Sequence, residues 1–170
     1  TLSQSVHATM FAMTSAALAI VLARYSAQSE VLFGCPIANR NSDTQDVIGP
    51  FAGPMAMRLD LSGDPSLRDL VVLAREETIE ALDNTNIPFE MLFERLKVRS
   101  VDGRNPLFQF YFTYQIAVTQ SRQVGNLAIS PLPASGLGTP YEFQLSLLER
   151  PEGVSARLEY NSDLFHAETM

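Results

Sequence analysis

Residues 8–36, ATMFAMTSAALAIVLARYSAQSEVLFGCP, place a long uncharged segment directly before a second apolar one. Residues 8–23 carry no charge, and apolar side chains cover nearly the whole circumference of a helix. We therefore expect that helix to lie against protein on most sides. Residues 31–36, VLFGCP, are continuously apolar, which is typical of a strand buried on both faces. A buried helix followed by a buried strand predicts a layered α/β unit.

The uncharged helix is shorter than a membrane span, which needs about 20 apolar residues. It includes threonine and serine, and no basic cluster precedes it as in a signal peptide. We therefore predict a helix inside a soluble domain, with a membrane or targeting segment as the alternative.

Composition narrows the class of protein. The chain has 170 residues, 46% of them hydrophobic, which is enough for one domain with its own core. A net charge of -7 opposes binding to nucleic acid, because such binding depends on lysine and arginine neutralising phosphates. Cys35 is the single cysteine, so it cannot form an internal disulfide, which fits a reducing compartment. We interpret it as a small buried hydrophobe, with a reactive thiol as the alternative.

The rest of the chain alternates between helical and strand patterns. Apolar stripes predict helices over residues 67–82 and from Pro88 onward, and alternation predicts strands over residues 55–61 and 107–115. In the latter strand we expect Phe108 on the same side as Phe110, Phe112 and Tyr114. Residues 141–150 and 154–160 also alternate, and they predict a hairpin across the intervening PEG.

No established catalytic or metal-binding motif occurs in the sequence. GxSxG, GxGxxG, HExxH and CxxC are all missing, and each would mark a nucleophile, a phosphate loop or a metal site. His7 and His166 stand alone, and we assign both to structural or surface roles. We therefore predict no catalytic residue, no metal site and no directly bound cofactor within these 170 residues.

Several segments together resemble a known family. They are RYSAQSEVLFGCPIANR, IGPFAGPMAMRLDLSGDPSLRDL, NTNIPFEML, GRNPLFQFYFTYQ and LEYNSDLFHAET. In this order and spacing they look like the C-terminal lobe of a condensation domain of nonribosomal peptide synthetases, and the likeness covers residues 1–170 as one unit. The resemblance implies an α/β sandwich, a mixed sheet with helices packed on it, as one lobe of the two-lobed chloramphenicol acetyltransferase-like fold.

The resemblance also implies a reaction and partners. In this family the amine of a carrier-bound acceptor attacks the thioester of a carrier-bound donor, and an amide forms. The phosphopantetheine arms of the two carrier proteins meet in a tunnel between the lobes. The histidine motif HHxxxDG belongs to the N-terminal lobe and does not occur here. We thus expect an N-terminal lobe and donor and acceptor carrier proteins as partners, a cytoplasmic location, and no condensing activity in this chain alone.

The stretch IGPFAGPMAMR, residues 48–58, is similar to the family's IGxFVNTxxxR, which borders the tunnel. The resemblance implies a tunnel wall made by Gly49, Phe51, Ala52, Gly53 and Pro54. Glycine lets a backbone pass close to a ligand, and proline fixes a turn. Ala52, Gly53 and Pro54 replace the family's Val, Asn and Thr, so polar groups are lost. This departure indicates a specialised or impaired subclass, or else a bend that is merely reshaped.

Arg40 ends the segment PIANR and matches the arginine that, in this family, pairs across the lobes with the aspartate of HHxxxDG. Such a shielded ion pair can fix geometry, and losing one partner leaves a costly unpaired charge. A surface arginine in a polar loop is the alternative.

Two further functions stay open on the same scaffold. One is a non-catalytic platform that recruits carrier proteins or tailoring enzymes, and the other is ester formation or another acyl transfer. We also expect some self-association, because a lobe without its mate exposes apolar interface surface.

Overall fold

The structure, a computed structural model, describes residues 2–85, 87–100, 103–116, 122–130, 132 and 138–170. The chain divides into two compact units, Thr1–Phe112 and Thr113–Met170. Unit 1 contains α1 (Leu2–Ser5), α2 (Met10–Ser26), β1 (Glu30–Ile37), β2 (Gly53–Asp60), α3 (Leu67–Asp83) and α4 (Phe89–Leu96). β3 (Phe110–Ile116) carries the boundary, and unit 2 contains β4 (Arg122–Val124), β5 (Leu127–Ile129), β6 (Phe143–Arg150) and β7 (Gly153–Tyr160).

The main sheet is mixed, as predicted. β1 pairs antiparallel with β2 from Glu30↔Asp60 to Ile37↔Gly53, and it pairs parallel with β3 at Gly34↔Tyr111. β6 and β7 form the predicted antiparallel hairpin, and the strand order is β2-β1-β3-β6-β7. β4 and β5 form a separate two-stranded ribbon.

Helix α2 forms where the uncharged segment predicted it. Thr9 caps its first turn, because the threonine hydroxyl accepts a hydrogen bond from the Ala12 N–H at 3.2 Å. Its buried face is made mostly of small residues, Ala12, Ser15, Ala16, Leu18 and Ala19. The opposite face is open: Tyr25 is 76% exposed and Val21 is half exposed. The expectation that protein covers this helix on most sides is therefore wrong for its outer face. None of the helices in the described ranges is long and apolar enough to cross a membrane.

The core of unit 1 lies on one face of the sheet. It contains Val31, Phe33 and Cys35 of β1, Met55, Met57 and Leu59 of β2, and Phe110 and Phe112 of β3. The Phe33 ring lies edge-on to Phe110 and Phe112, and Phe11 of α2 stacks on Phe112 at 5.6 Å between ring centroids. Burying these side chains provides the main stabilisation of the unit, at roughly 1.5–3 kcal/mol for each large one.

The other face of β1 is covered only in part. Leu32 and Pro36 are exposed, so the predicted burial of this strand on both faces is wrong at these two positions. Gly34 is buried there, because the ring of Phe108 lies directly on it. Phe108 also contacts the rings of Phe89 and Tyr111.

Phe108 therefore does not share a side with Phe110 and Phe112, as the alternation predicted. The strand begins only at Phe110, so the period-two rule does not extend back to Phe108. The side chain of Asn105 accepts hydrogen bonds from the N–H groups of Leu107 and Phe108, which holds this approach in a turn.

Cys35 is buried in β1, which confirms the interpretation as a small hydrophobe. Burial raises the pKa of its thiol to about 12, far above the roughly 8.5 of a free cysteine. The thiolate is the reactive form, so native protein should not react with a thiol reagent at mildly alkaline pH. Titration with a coloured disulfide reagent should find no thiol in the folded chain and one in denaturant. One thiol reacting at the same rate in both states would contradict this prediction.

Candidate functional site

A cleft of about 760 Å³ opens in unit 1, and we call it the unit-1 cleft. One side is formed by residues between Ile37 and Ala56, and the other by residues between Ala81 and Leu92. Four of the five predicted wall residues line it, namely Phe51, Ala52, Gly53 and Pro54. Its volume falls within the roughly 300–1,000 Å³ of small-molecule sites.

The two wall glycines have different roles. A Cβ on Gly53 would have no atom within 4 Å, so this position faces open space. A Cβ on Gly49 would lie 3.2 Å from the ring of Phe51. Gly49 is not among the residues that line the cleft, and its lack of a side chain makes room for Phe51. The predicted close approach at Gly49 is thus to a neighbouring ring.

The loop before the wall is held by Asn41. Its side-chain oxygen accepts hydrogen bonds from the N–H groups of Asp43 and Thr44 and from the Thr44 hydroxyl, at 2.9–3.1 Å. The Gln45 N–H donates to the Asn41 carbonyl at 2.9 Å. These contacts form a compact Asx-type turn, which is the conformation that asparagine favours.

Arg40 reaches across this loop. Its guanidinium donates hydrogen bonds to the carbonyls of Thr44, Val47 and Gly49, and its Cζ lies 4.5 Å from the centroid of the Phe51 ring. The predicted cross-lobe ion pair is not tested by these contacts, because they lie within unit 1. They do show that this arginine is more than a loosely held surface charge.

The opposite side of the cleft was not predicted from the sequence. It consists of the end of α3, a turn and the start of α4. The Asn84 amide donates to the Glu80 carbonyl and the Thr85 hydroxyl donates to the Leu82 carbonyl, so both side chains finish α3. Pro88 precedes α4, and the Phe89 ring packs on Phe108. The signal in the sequence was the segment NTNIPFE, which periodicity alone marks only as a helix start.

The predicted docked face of α4 is confirmed at Phe89, Leu92 and Phe93, which are half-buried, but Leu96 is largely exposed. The reason is that α4 ends at Leu96, with Lys97 in the left-handed conformation, so this last residue extends past the sheet contact.

The chemistry of the cleft is neutral and mostly apolar. Among the described residues that line it, Glu90 is the one with an ionisable side chain, and asparagine and threonine supply the other polar groups. No serine, cysteine or histidine lies among these described lining residues. Such a surface can hold an apolar or amide-containing chain in place, whereas acyl transfer catalysed here alone would need a nucleophile or base.

Other candidate positions do not form a reactive site. His7 lies between α1 and α2 and His166 lies after β7, and neither lines a cleft in the part of the chain that the structure describes. The described residues contain no cluster of three or more potential metal ligands. Unit 2 has a cleft of about 810 Å³, but charged side chains along it pair within the unit, as Arg150 with Glu152 and Arg157 with Glu159.

Comparison with known proteins gives the family. The model of the condensation domain matches residues 1–170. Part of the linear gramicidin synthase of Brevibacillus parabrevis is 36% identical over 173 residues, which is 100% of this chain and 2% of that protein. The dimodular nonribosomal peptide synthase of Bacillus subtilis is 32% identical over 176 residues, which is 99% of this chain and 7% of that protein. The chain therefore spans a small fraction of such curated relatives.

Solved structures agree in fold. The X-domain in complex with OxyB from teicoplanin biosynthesis is similar with a TM-score of 0.81 and 28% identity, over 99% of this chain and 38% of that one. The predicted lobe of the chloramphenicol acetyltransferase-like fold is confirmed by such neighbours, and the chain belongs to the condensation-domain family of nonribosomal peptide synthetases.

Proposed function

We propose that this chain is the C-terminal lobe of a condensation domain and that the unit-1 cleft is part of the passage for carrier-bound substrates. The acceptor amine attacks the carbonyl carbon of the donor thioester, a C–N bond forms, the C–S bond breaks, and the amine loses a proton. A thioester is already activated, so holding the two arms in line supplies much of the rate.

The observation that carries this proposal is the convergence of the predicted wall. Phe51, Ala52, Gly53 and Pro54 line one open cleft whose described lining contains neither a nucleophile nor a histidine. A surface of that kind positions a substrate while another part of the enzyme moves the proton. We propose that the HHxxxDG motif of an N-terminal lobe does so, with a carboxylate there available to Arg40.

The partners follow from this reaction. We propose that donor and acceptor carrier proteins deliver their phosphopantetheine arms to the passage, in the cytoplasm. A pantetheine arm contains two neutral amides in a flexible chain, and the neutral lining of the cleft suits it. Val47 and Ile48 beside the wall are exposed, as expected of residues that meet another lobe or a second copy of the chain.

The proposal is tested by amide formation with loaded donor and acceptor carriers. The 170-residue chain alone should give no product above background, because its cleft offers no proton-handling group. The same chain preceded by an N-terminal lobe with HHxxxDG should give product. Product from the chain alone, or none from a folded two-lobed protein with an intact motif, would refute the proposal.

The replaced wall residues give a second arm of that assay. Gly53→Asn restores the amide of the family pattern, and the open space at this position accommodates it. If the lost polar group impairs the enzyme, turnover rises by about tenfold, the worth of one well-made hydrogen bond to substrate. Unchanged turnover would mean that the departure only reshapes the bend.

A recruitment platform is the second candidate, and two observations favour it. The X-domain, 28% identical to this chain, was solved in complex with OxyB, and the polar groups of the family pattern are missing at residues 52–54. A platform would bind a partner enzyme and give no product in the two-lobed assay. Supplying an acceptor with a hydroxyl in place of the amine tests ester formation in the same experiment.

A further inference from the structure

The wall segment, residues 48–54, has little backbone support before β2 begins. Among the described residues, no backbone–backbone hydrogen bond outside helices and strands involves residues 48–52. β2 pairs with β1 only from Gly53 onward. A segment without such bonds adopts one conformation only if side chains hold it.

The side chain of Arg40 provides that support. Its Nη1 donates to the carbonyls of Thr44 and Val47, and its Nη2 donates to the carbonyl of Gly49 at 3.0 Å. The guanidinium also lies over the ring of Phe51. We call this set of contacts the Arg40 clasp: Arg40, the carbonyls of Thr44, Val47 and Gly49, and the Phe51 ring.

The clasp connects the loop to the cleft. Thr44 is fixed by Asn41, so one end of the clasp is anchored to a compact turn. The other end holds Phe51, which lines the cleft. Gly49 allows this arrangement, since any Cβ there would press on the Phe51 ring at 3.2 Å. The planar guanidinium matches the task because it donates in several fixed directions and stacks on aromatic rings.

We infer that Arg40 is a positioning residue for the substrate passage, acting by holding Gly49 and Phe51 in place. This inference rests on the proposed function of the cleft and goes beyond an ion pair to another lobe. The three carbonyl bonds do not use the Nε–H or the second Nη2–H, so one side chain can both hold the wall and meet a carboxylate.

Arg40→Lys separates the two roles. Lysine keeps the positive charge for an ion pair, but its single ammonium cannot reach three carbonyls and stack on Phe51 together. In the variant chain, backbone order parameters of Gly49 and Phe51 from NMR relaxation should fall from about 0.85 to below about 0.6. Those of α3 should not change. Arg58→Lys is the matched control, because Arg58 is an exposed arginine that pairs with Glu30 instead of the wall.

Activity of the two-lobed domain gives the second readout. Arg40→Lys should raise KM for the loaded carriers by about tenfold, with kcat reduced less, since uniform binding is lost. Phe51→Leu removes the ring contact only and should lower the order parameter of Gly49 by a smaller amount.

If Arg40→Lys leaves both the order parameters and KM unchanged, the inference is wrong while the proposed function stands. If the order parameters fall but even the wild-type domain makes no amide, the clasp stands and the proposed function fails.

Discussion

Gly34→Ala should lower the free energy of unfolding by about 3 kcal/mol or more, the upper range for inserting a methyl group into a packed core. The added Cβ would lie 2.1 Å from one carbon of the Phe108 ring and within 2.7 Å of two others. The ring has no room to move, because Phe108 is fully buried and packs on Phe89 and Tyr111. Urea denaturation monitored by circular dichroism measures the loss.

The sign of this effect is informative. A glycine-to-alanine change at an unstrained position normally stabilises by about 0.4–1 kcal/mol, because it restricts the unfolded chain. Gly53→Ala is the matched control in the partner strand, since its Cβ would meet open space. It should change stability by no more than about 0.5–1 kcal/mol, in either direction. Equal effects of the two changes would show that Phe108 does not lie on Gly34.

A compensating variant tests the contact itself. Phe108→Leu alone should destabilise the chain by opening a cavity, but in the Gly34→Ala background it should cost less or restore stability. Residues in contact couple in this way, by about 0.5–3 kcal/mol. Strict additivity of the two changes would contradict the packing described for this face of the sheet.

Much of the fold follows from local patterns. Helices α2, α3 and α4 and the hairpin of β6 and β7 lie where apolar periodicity predicted them. The errors fall where an element ends. Phe108 was placed by alternation, yet the strand begins two residues later, and the ring turns to the other face to cover Gly34. Periodicity does not show where the first hydrogen bond of a strand forms.

The candidate site was predicted only on one side. The wall residues came from the resemblance, and four of them do line the cleft. The turn between α3 and α4 lies far along the chain from the wall, and its approach to the wall depends on how the helices pack on β2. No pattern within either segment encodes that distance. The carbonyl contacts of Arg40 are similar, because they exist only once Asn41 has formed its turn.

A reactive pantetheine arm should label position 53 of the domain. Gly53→Cys puts a thiol in the open part of the cleft. A carrier protein whose arm ends in a chloroacetyl group then forms a C–S bond to that thiol, with loss of chloride. Cys35 gives no background, because burial raises its pKa to about 12.

Arg58→Cys is the control for that experiment. Position 58 lies on the same strand, is exposed, and stands about 17 Å from position 53 at roughly 3.3 Å per residue. It does not line the cleft.

The rate of carrier-dependent labelling at these two positions, read by intact-protein mass spectrometry, tests the central claim most directly. If the cleft is part of the substrate passage, position 53 is labelled at least about ten times faster than position 58, an advantage of the effective-concentration kind. Labelling of position 58 as fast as position 53, or none at position 53 in a domain that still forms amide, would contradict the account.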